Sequence, residues 1–184
     1  MHEGDPGDSL HLIDKGRVAV RTSTPMGDVV TFNVLGPGDN FGELSLIPSD
    51  TRRSATIVAM EPTETLTLGH AEFDELRIDH RIGDVLATAL AARVRELSHL
   101  LAEAHFVSAD TRVLRRLVLL CEVYDTSAAD IVVPVTQHTL ATMAGTTRPT
   151  ANRVLRGLEA DGLVTLARGR VTVHDTDALR RRAR

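Results

Sequence analysis

The chain has 184 residues, 42% of them hydrophobic, with a formal net charge of −4 and a single cysteine, Cys121. One cysteine excludes an intrachain disulfide framework and a thiolate-built iron–sulfur or structural zinc site within one protomer. No apolar stretch is long enough to span a membrane and no charged segment precedes an apolar run at the start, so a cytoplasmic protein with two small cores is expected. The net charge hides a division. Residues 112–184 hold 12 arginines against 7 acidic residues, net +5, whereas residues 1–111 hold 9 basic against 18 acidic residues, net −9. Phosphate attraction is local, so the basic half is the candidate nucleic-acid contact.

From the start of the chain, short runs such as LHLID, RVAVRT, VVTFNVL, ATIVAM and ETLTLG are punctuated by Gly16, Gly27, Gly36, Pro37, Gly38, Gly42, Pro48 and Pro62. Short strands at this spacing predict an all-β barrel or jelly roll over residues 1–78. Inside it, Gly42, Glu43 and Leu44 follow a turn, and Arg52, Arg53, Ser54 and Ala55 come soon after Pro48. A glycine turn exposes backbone N–H groups, an arginine supplies a forked donor and a serine a hydroxyl, a set that suits a phosphate. The same arginine and glutamate also suit a surface salt bridge, and the residues alone leave both readings open.

A helix is predicted from Asp79 to Ala104, where Ile82, Leu86, Leu90, Val94, Leu97 and Leu101 repeat close to a heptad seam beside Ala87, Ala91 and Ala92. Such a stripe suits two identical helices packed together, or one helix lying on its own barrel. The pattern lapses at HFVSAD, where a hinge fits, so residues 79–109 form the second segment. Residues 110–184 form the third. It opens with a helix from Thr111 or Arg112 to Tyr124, with Val113, Leu114, Leu117, Leu120 and Cys121 inward, followed by a loop at DTSAAD.

Beyond that loop, Thr136 caps a short helix carrying Leu140 and Met143, and Gly145 ends it. Thr147 caps a second helix with Pro149 near its first turn and Val154, Leu155 and Leu158 inward, and Gly162 stops it. Two short helices joined by a tight glycine turn match the helix-turn-helix pattern, although many all-helical proteins without a nucleic-acid role share it. Thr146, Arg148, Thr150, Asn152 and Arg153 crowd the DNA-facing start of the second helix. LVTLARGRVTVH then alternates around Arg168, Gly169 and Arg170 as a hairpin or wing whose arginines can meet phosphate. The RRRAR run at 180–184 adds basic charge or is simply solvated. The eight histidines, at 2, 11, 70, 80, 99, 105, 138 and 174, are scattered without a short ligand pair, and no nucleophile sits in a recognisable elbow. Neither a metal site nor an enzyme is expected.

The order of these parts, FGELSL and RRSA in a glycine-punctuated barrel, a long apolar helix, a hinge, TTRPTANRVLRGLE and then DGLVTLARGRVTV, resembles the CRP/FNR family of bacterial transcriptional regulators. Within it the match is nearest the cyclic-AMP receptor protein branch. The resemblance implies an α+β fold: a cyclic-nucleotide-binding-like β-barrel (jelly roll) over 1–78, a dimerisation helix and hinge over 79–109, and a winged helix-turn-helix over 110–184. The family has an extra strand or two ahead of Met1, so either the sequence starts late or the barrel is naturally shortened. A shortened barrel would expose a strand edge unless something covers it.

The resemblance also implies site residues. Gly42, Glu43 and Leu44 would form the nucleotide cassette, with Glu43 on the ribose hydroxyl and Arg53 and Ser54 on the cyclic phosphate. Arg93 would approach the same ligand, and Ser98 matches one of two hydroxyl residues that meet the base, whereas Leu97 replaces the other. At the DNA end Arg148 and Arg153 match the recognition arginines, Pro149 stands where a glutamate is expected, and Thr136 and Gln137 would meet phosphate. Thr146 and Thr150 would touch backbone or a thymine methyl, and Arg170 the phosphates beside the wing. No cofactor is required, and cyclic AMP or a related nucleotide is the implied effector. The implied partners are a second copy of the chain, a palindromic duplex differing from the TGTGA type, and RNA polymerase. The competing expectation is a cyclic-nucleotide-binding or protein-interaction module whose C-terminal domain only supports assembly, which would show no salt-dependent sequence preference.

Overall fold

The computed structural model describes residues 1–24, 26–46, 52–76, 78–124 and 130–184. The punctuating Pro48 and residues 125–129 of the loop expected after the third-segment helix lie outside the described residues. The chain divides into two compact units, residues 1–22 with 35–106 and residues 23–34 with 107–184.

Over residues 9–69 the predicted runs become strands that bury Ile13, Val18, Val34 and Phe41. These are β1 (Ser9–Lys15), β2 (Val18–Ser23), β3 (Val29–Leu35), β4 (Asn40–Phe41), β5 (Thr56–Ala59) and β6 (Glu64–Gly69). They form two three-stranded sheets, ordered β4-β1-β6 and β3-β2-β5. Among the described residues no ladder closes them into a ring, so the barrel expected from the sequence is two sheets here. Ile13, Val18 and Phe41 form a buried cluster with Leu35 and Ile57 against it. The first residues of the chain pair with the 52–57 edge: Gly4 donates to the Arg53 carbonyl at 2.8 Å, Arg53 to that of Asp5 at 2.8 Å, and Ile57 to that of Met1 at 3.0 Å.

Two helices follow, α1 (His70–Leu76), which the sequence pattern does not foretell, and α2 (His80–Phe106). The second runs two residues past its expected end, so the break before the next helix narrows to Val107 and Ser108. Ile82 and Leu86 of its stripe are half-buried, whereas Leu90, Val94, Leu97 and Leu101 are exposed. Among the described residues no helix is long and apolar enough to cross a membrane.

Residues 107–184 of the second unit hold α3 (Ala109–Tyr124), β7 (Ile131–Val133), α4 (Gln137–Met143), α5 (Arg148–Ala160), β8 (Val164–Ala167), β9 (Arg170–Val173) and α6 (Thr176–Arg182). The strands form one antiparallel sheet ordered β7-β9-β8. Leu117, Leu140, Leu155, Val171, Val173 and Leu179 are at most 2% exposed, and Cys121 is a buried free thiol. Helix α6 is an addition to the expected elements. Asp175 caps it by accepting from the Ala178 amide at 2.8 Å, and its arginines are pinned, Arg180 to Glu122 and Arg182 to Asp161. The basic run at 180–184 is therefore partly neutralised by its own domain rather than simply solvated.

Candidate functional site

The reading helix is set by its neighbours. Thr136 accepts from the Thr139 amide at 3.0 Å, so α4 starts at Gln137 with one of its four unsatisfied donors capped. Replacing Thr136 with alanine is expected to lower stability by about 1 kcal/mol, read by urea unfolding, and to weaken DNA binding evenly across sequences. Gly145, at φ +57°, turns the chain, and Thr147 caps α5 with 3.4 Å between its hydroxyl and the Thr150 amide. Pro149 falls in the first turn, where a missing N–H removes no helical bond.

These starts converge with the wing. A cleft of about 400 Å³ is lined by Thr136, Gln137 and His138 from the start of α4, Arg148 from the start of α5, and Arg168 to Arg170 from the β8–β9 turn. Arg148, Arg168 and Arg170 are all exposed. The Gln137 carbonyl accepts from Asn152 at 2.7 Å, which orients the amide so that its nitrogen remains as donor. Three forked cations, a hydroxyl and amide donors around one open cleft suit a phosphate-bearing surface. Glu159 joins the recognition helix to the wing by accepting from the Leu166 amide at 3.0 Å and from Arg156 at 2.7 Å. These bonds, the amide's first, hold its carboxyl below the usual range.

Four sequence-predicted DNA residues, Thr136, Gln137, Arg148 and Arg170, are thus brought together. Three others lie outside that lining. The Thr150 hydroxyl is 3.0 Å from that of Thr147, the Thr146 amide donates to the Ala141 carbonyl at 2.9 Å, and Arg153 forms a two-pronged ion pair with Asp110. That pair raises the Arg153 guanidinium further above its ordinary value. Sequence reasoning missed Asp110, His138 and Arg112. Arg112 donates to the carbonyls of Val107 at 2.7 Å, Ala144 at 2.9 Å and Gly145 at 3.1 Å, tying the α4–α5 turn to the start of α3. The one signal for it is that a helix C-terminus leaves carbonyls needing donors, but nothing in the chain pattern says which arginine supplies them.

In the first unit Gly42 has φ +88°, and a Cβ there would lie 2.6 Å from Arg53 Nη1 and from the Ser9 carbonyl oxygen. Glu43 and Leu44 open a short 3-10 turn, Glu43–Leu46, with Leu44 exposed. Arg53 is only 9% exposed and donates to the Ser9 carbonyl at 2.7 Å and the Ser9 hydroxyl at 3.0 Å, with Asp8 at 3.6 Å. Ser9 also lies 3.2 Å from His11, whose ring stacks on Phe41, and burial followed by the charge of Arg53 holds the His11 pKa below its ordinary value. A buried guanidinium against a glycine turn that admits no side chain fits an anionic group at close approach. Ser54 is exposed beside it. Arg93 pairs with Glu96 at 2.8 Å, and Ser98 donates to the Val94 carbonyl at 2.9 Å, so these α2 contacts stay within the helix rather than reaching the cassette.

Comparison with known proteins matches a cyclic nucleotide-binding domain family to residues 1–80 and a Crp-like helix-turn-helix domain family to residues 111–182. The chain is 35% identical over 182 residues to the cyclic AMP receptor protein of Thermus thermophilus, covering 97% of this chain and 81% of that one. It is 30% identical over 185 residues to a CRP-like cAMP-activated global transcriptional regulator of Mycobacterium tuberculosis, covering 99% and 83%. Among solved structures, TTHB099, a CRP-family transcriptional regulator also from Thermus thermophilus, superposes with a TM-score of 0.77 at 26% identity over 99% of this chain and 91% of that one. FixK2 from Bradyrhizobium japonicum shares the fold, with a TM-score of 0.80 at 18% identity over 98% and 89%.

Proposed function

The chain belongs to the CRP/FNR family of transcriptional regulators, and from that premise we propose that it reads a palindromic DNA site as a homodimer under the control of cyclic AMP or a related nucleotide. The observation that carries this reading is the cleft that gathers Thr136, Gln137, Arg148 and Arg170 at the starts of two helices and a wing. A helix N-terminus that presents Arg148 beside phosphate-seeking donors is built to enter a major groove. Pro149 can offer cytosine no acceptor, so the half-site departs from the TGTGA type while Arg148 keeps its two donors for guanine.

The exposed Leu90, Val94, Leu97 and Leu101 supply the seam for a second copy. Two-fold symmetry then sets two recognition helices one DNA turn apart. The domains of this reading are 1–78 for the nucleotide, 79–109 for dimerisation and hinge, and 110–184 for DNA. Gly42, Glu43, Leu44, Arg53 and Ser54 would hold the cyclic nucleotide, with Arg93 and Ser98 recruited from their contacts within α2. Leu97 removes one hydroxyl from base recognition. Control requires the effector to bind two conformations unequally. The acidic N-terminal half offers RNA polymerase a surface, the protein works in the cytoplasm, and its role is binding rather than catalysis.

Arg148→Ala tests the reading. The variant is expected to lose about 1–3 kcal/mol on a preferred duplex and little on a scrambled one, measured by fluorescence anisotropy at fixed salt. Equal loss on both duplexes would assign Arg148 to phosphate and refute its base-reading role.

A further inference from the structure

Arg153 projects from α5 and is matched to the recognition arginines, yet both of its terminal nitrogens are engaged by one carboxylate. Nη1 donates to Asp110 Oδ2 at 2.9 Å and Nη2 to Asp110 Oδ1 at 2.5 Å. This is the end-on edge of the guanidinium, the pair of donors with which an arginine reads O6 and N7 of guanine. A carboxylate that buttressed Arg153 for DNA would leave that pair free. The side chains are 65% and 45% exposed, so a duplex can reach them and their separation buries no uncompensated charge. Asp110 sits in the first turn of α3, behind Ser108, whose hydroxyl accepts from the Thr111 amide at 3.1 Å. Its position is therefore set by the start of that helix and not by α5.

We propose that Asp110 is an affinity-setting residue that competes with DNA for Arg153, so that only a site offering Arg153 a two-acceptor partner draws it off the pair. The inference rests on the DNA-binding reading above. A guanine in register takes both donors and draws Arg153 off Asp110 at the full cost of the pair, whereas a site offering only a phosphate can leave the pair intact. The competition therefore lowers affinity for cognate sequences at least as much as for non-cognate ones.

The test is a double-mutant cycle on the dimeric full-length protein, measured by anisotropy at fixed salt on a duplex selected from a random library and on its scrambled counterpart. Asp110→Asn keeps the side chain's shape and removes its charge. It is expected to tighten binding to the selected duplex about two- to five-fold, the reach of a surface ion pair, and the scrambled duplex by no more than that, so that their ratio is held or widened. In the Arg153→Ala background the same substitution is expected to change nothing. Equal tightening in both backgrounds would overturn the proposal, because the carboxylate would then act as a distant charge. Unchanged or weakened binding by Asp110→Asn alone would overturn it too, because the carboxylate would then be idle or orienting. A wild-type protein that prefers no duplex over its scramble refutes the DNA-binding reading itself, and the proposal falls with it. The other outcomes leave that reading standing.

Discussion

Replacing Arg112 with methionine is expected to destabilise the second unit by about 2–4 kcal/mol, the largest loss from any single polar group of the DNA end. One guanidinium serves three backbone carbonyls, Val107 before α3 and Ala144 and Gly145 after α4. The last two belong to a helix end whose carbonyls lack intrahelical partners. Hydrogen bonds from a charged donor contribute about 1.5–3 kcal/mol each, and partial exposure lets water replace some of that. Methionine keeps much of the apolar stem and removes only the donors. Urea unfolding should show the loss with an unchanged m-value, and DNA affinity should fall because Gly145 and Thr147 fix where α5 begins. A loss below about 0.5 kcal/mol would mean that water satisfies the turn unaided.

Gly42→Ala is the matching change in the first unit. A non-glycine residue at φ +88° pays about 1–2 kcal/mol for the left-handed backbone alone. Its Cβ would also stand 2.6 Å from the Ser9 carbonyl oxygen, a backbone atom on β1 that cannot swing aside as a side chain can. Crowding of that kind adds about 1–3 kcal/mol. The expected result is a lowered unfolding midpoint for the nucleotide domain together with weakened cyclic AMP binding by calorimetry, because Arg53 must leave Ser9 to make room. Wild-type stability and wild-type nucleotide affinity in this variant would show that the cassette turn is free to rearrange and does not hold Arg53.

The parts of the fold legible in the sequence are those written in local chemistry. Thr136, Gly145, Thr147 and Gly162 mark α4 and α5 to within a residue, because caps and left-handed turns are properties of a few neighbouring residues. The same holds for the wing, where Gly169 at φ +75° sits between the paired Ala167 and Arg170. The strand runs of the first unit are legible as alternation, but their pairing is not. Whether β6 lies beside β1 or β5 depends on contacts dozens of residues apart, such as Ser9 with Gly69, and alternation is silent on that. Residues 1–6 carry no strand signature, with Gly4, Pro6 and an aspartate, yet they cover the 52–57 edge through backbone bonds that any side chain permits. Helix α6 is hidden in the sequence because its arginines read as a charge run, and only the fold brings Glu122 and Asp161 to face them.

The candidate site divides the same way. Arg148 and Arg170 are visible from their place at a helix start and a hairpin turn, and the structure puts them in one cleft. Arg153 is visible as a recognition residue, but its carboxylate partner lies 43 residues away in another helix, beyond any local pattern. The family resemblance names Arg93 and Ser98 from position alone. In the structure both are bonded within α2, Arg93 to Glu96 and Ser98 to the Val94 carbonyl.

Selection of a randomised duplex library by the purified dimer, at fixed salt and with or without cyclic AMP, decides whether the protein reads a palindrome under nucleotide control. The expected result is recovery of a two-fold symmetric site whose half-sites lie one helical turn apart, enriched more strongly when cyclic AMP is present. Recovery of unselected sequence by protein that is folded and dimeric, in both samples, would contradict it.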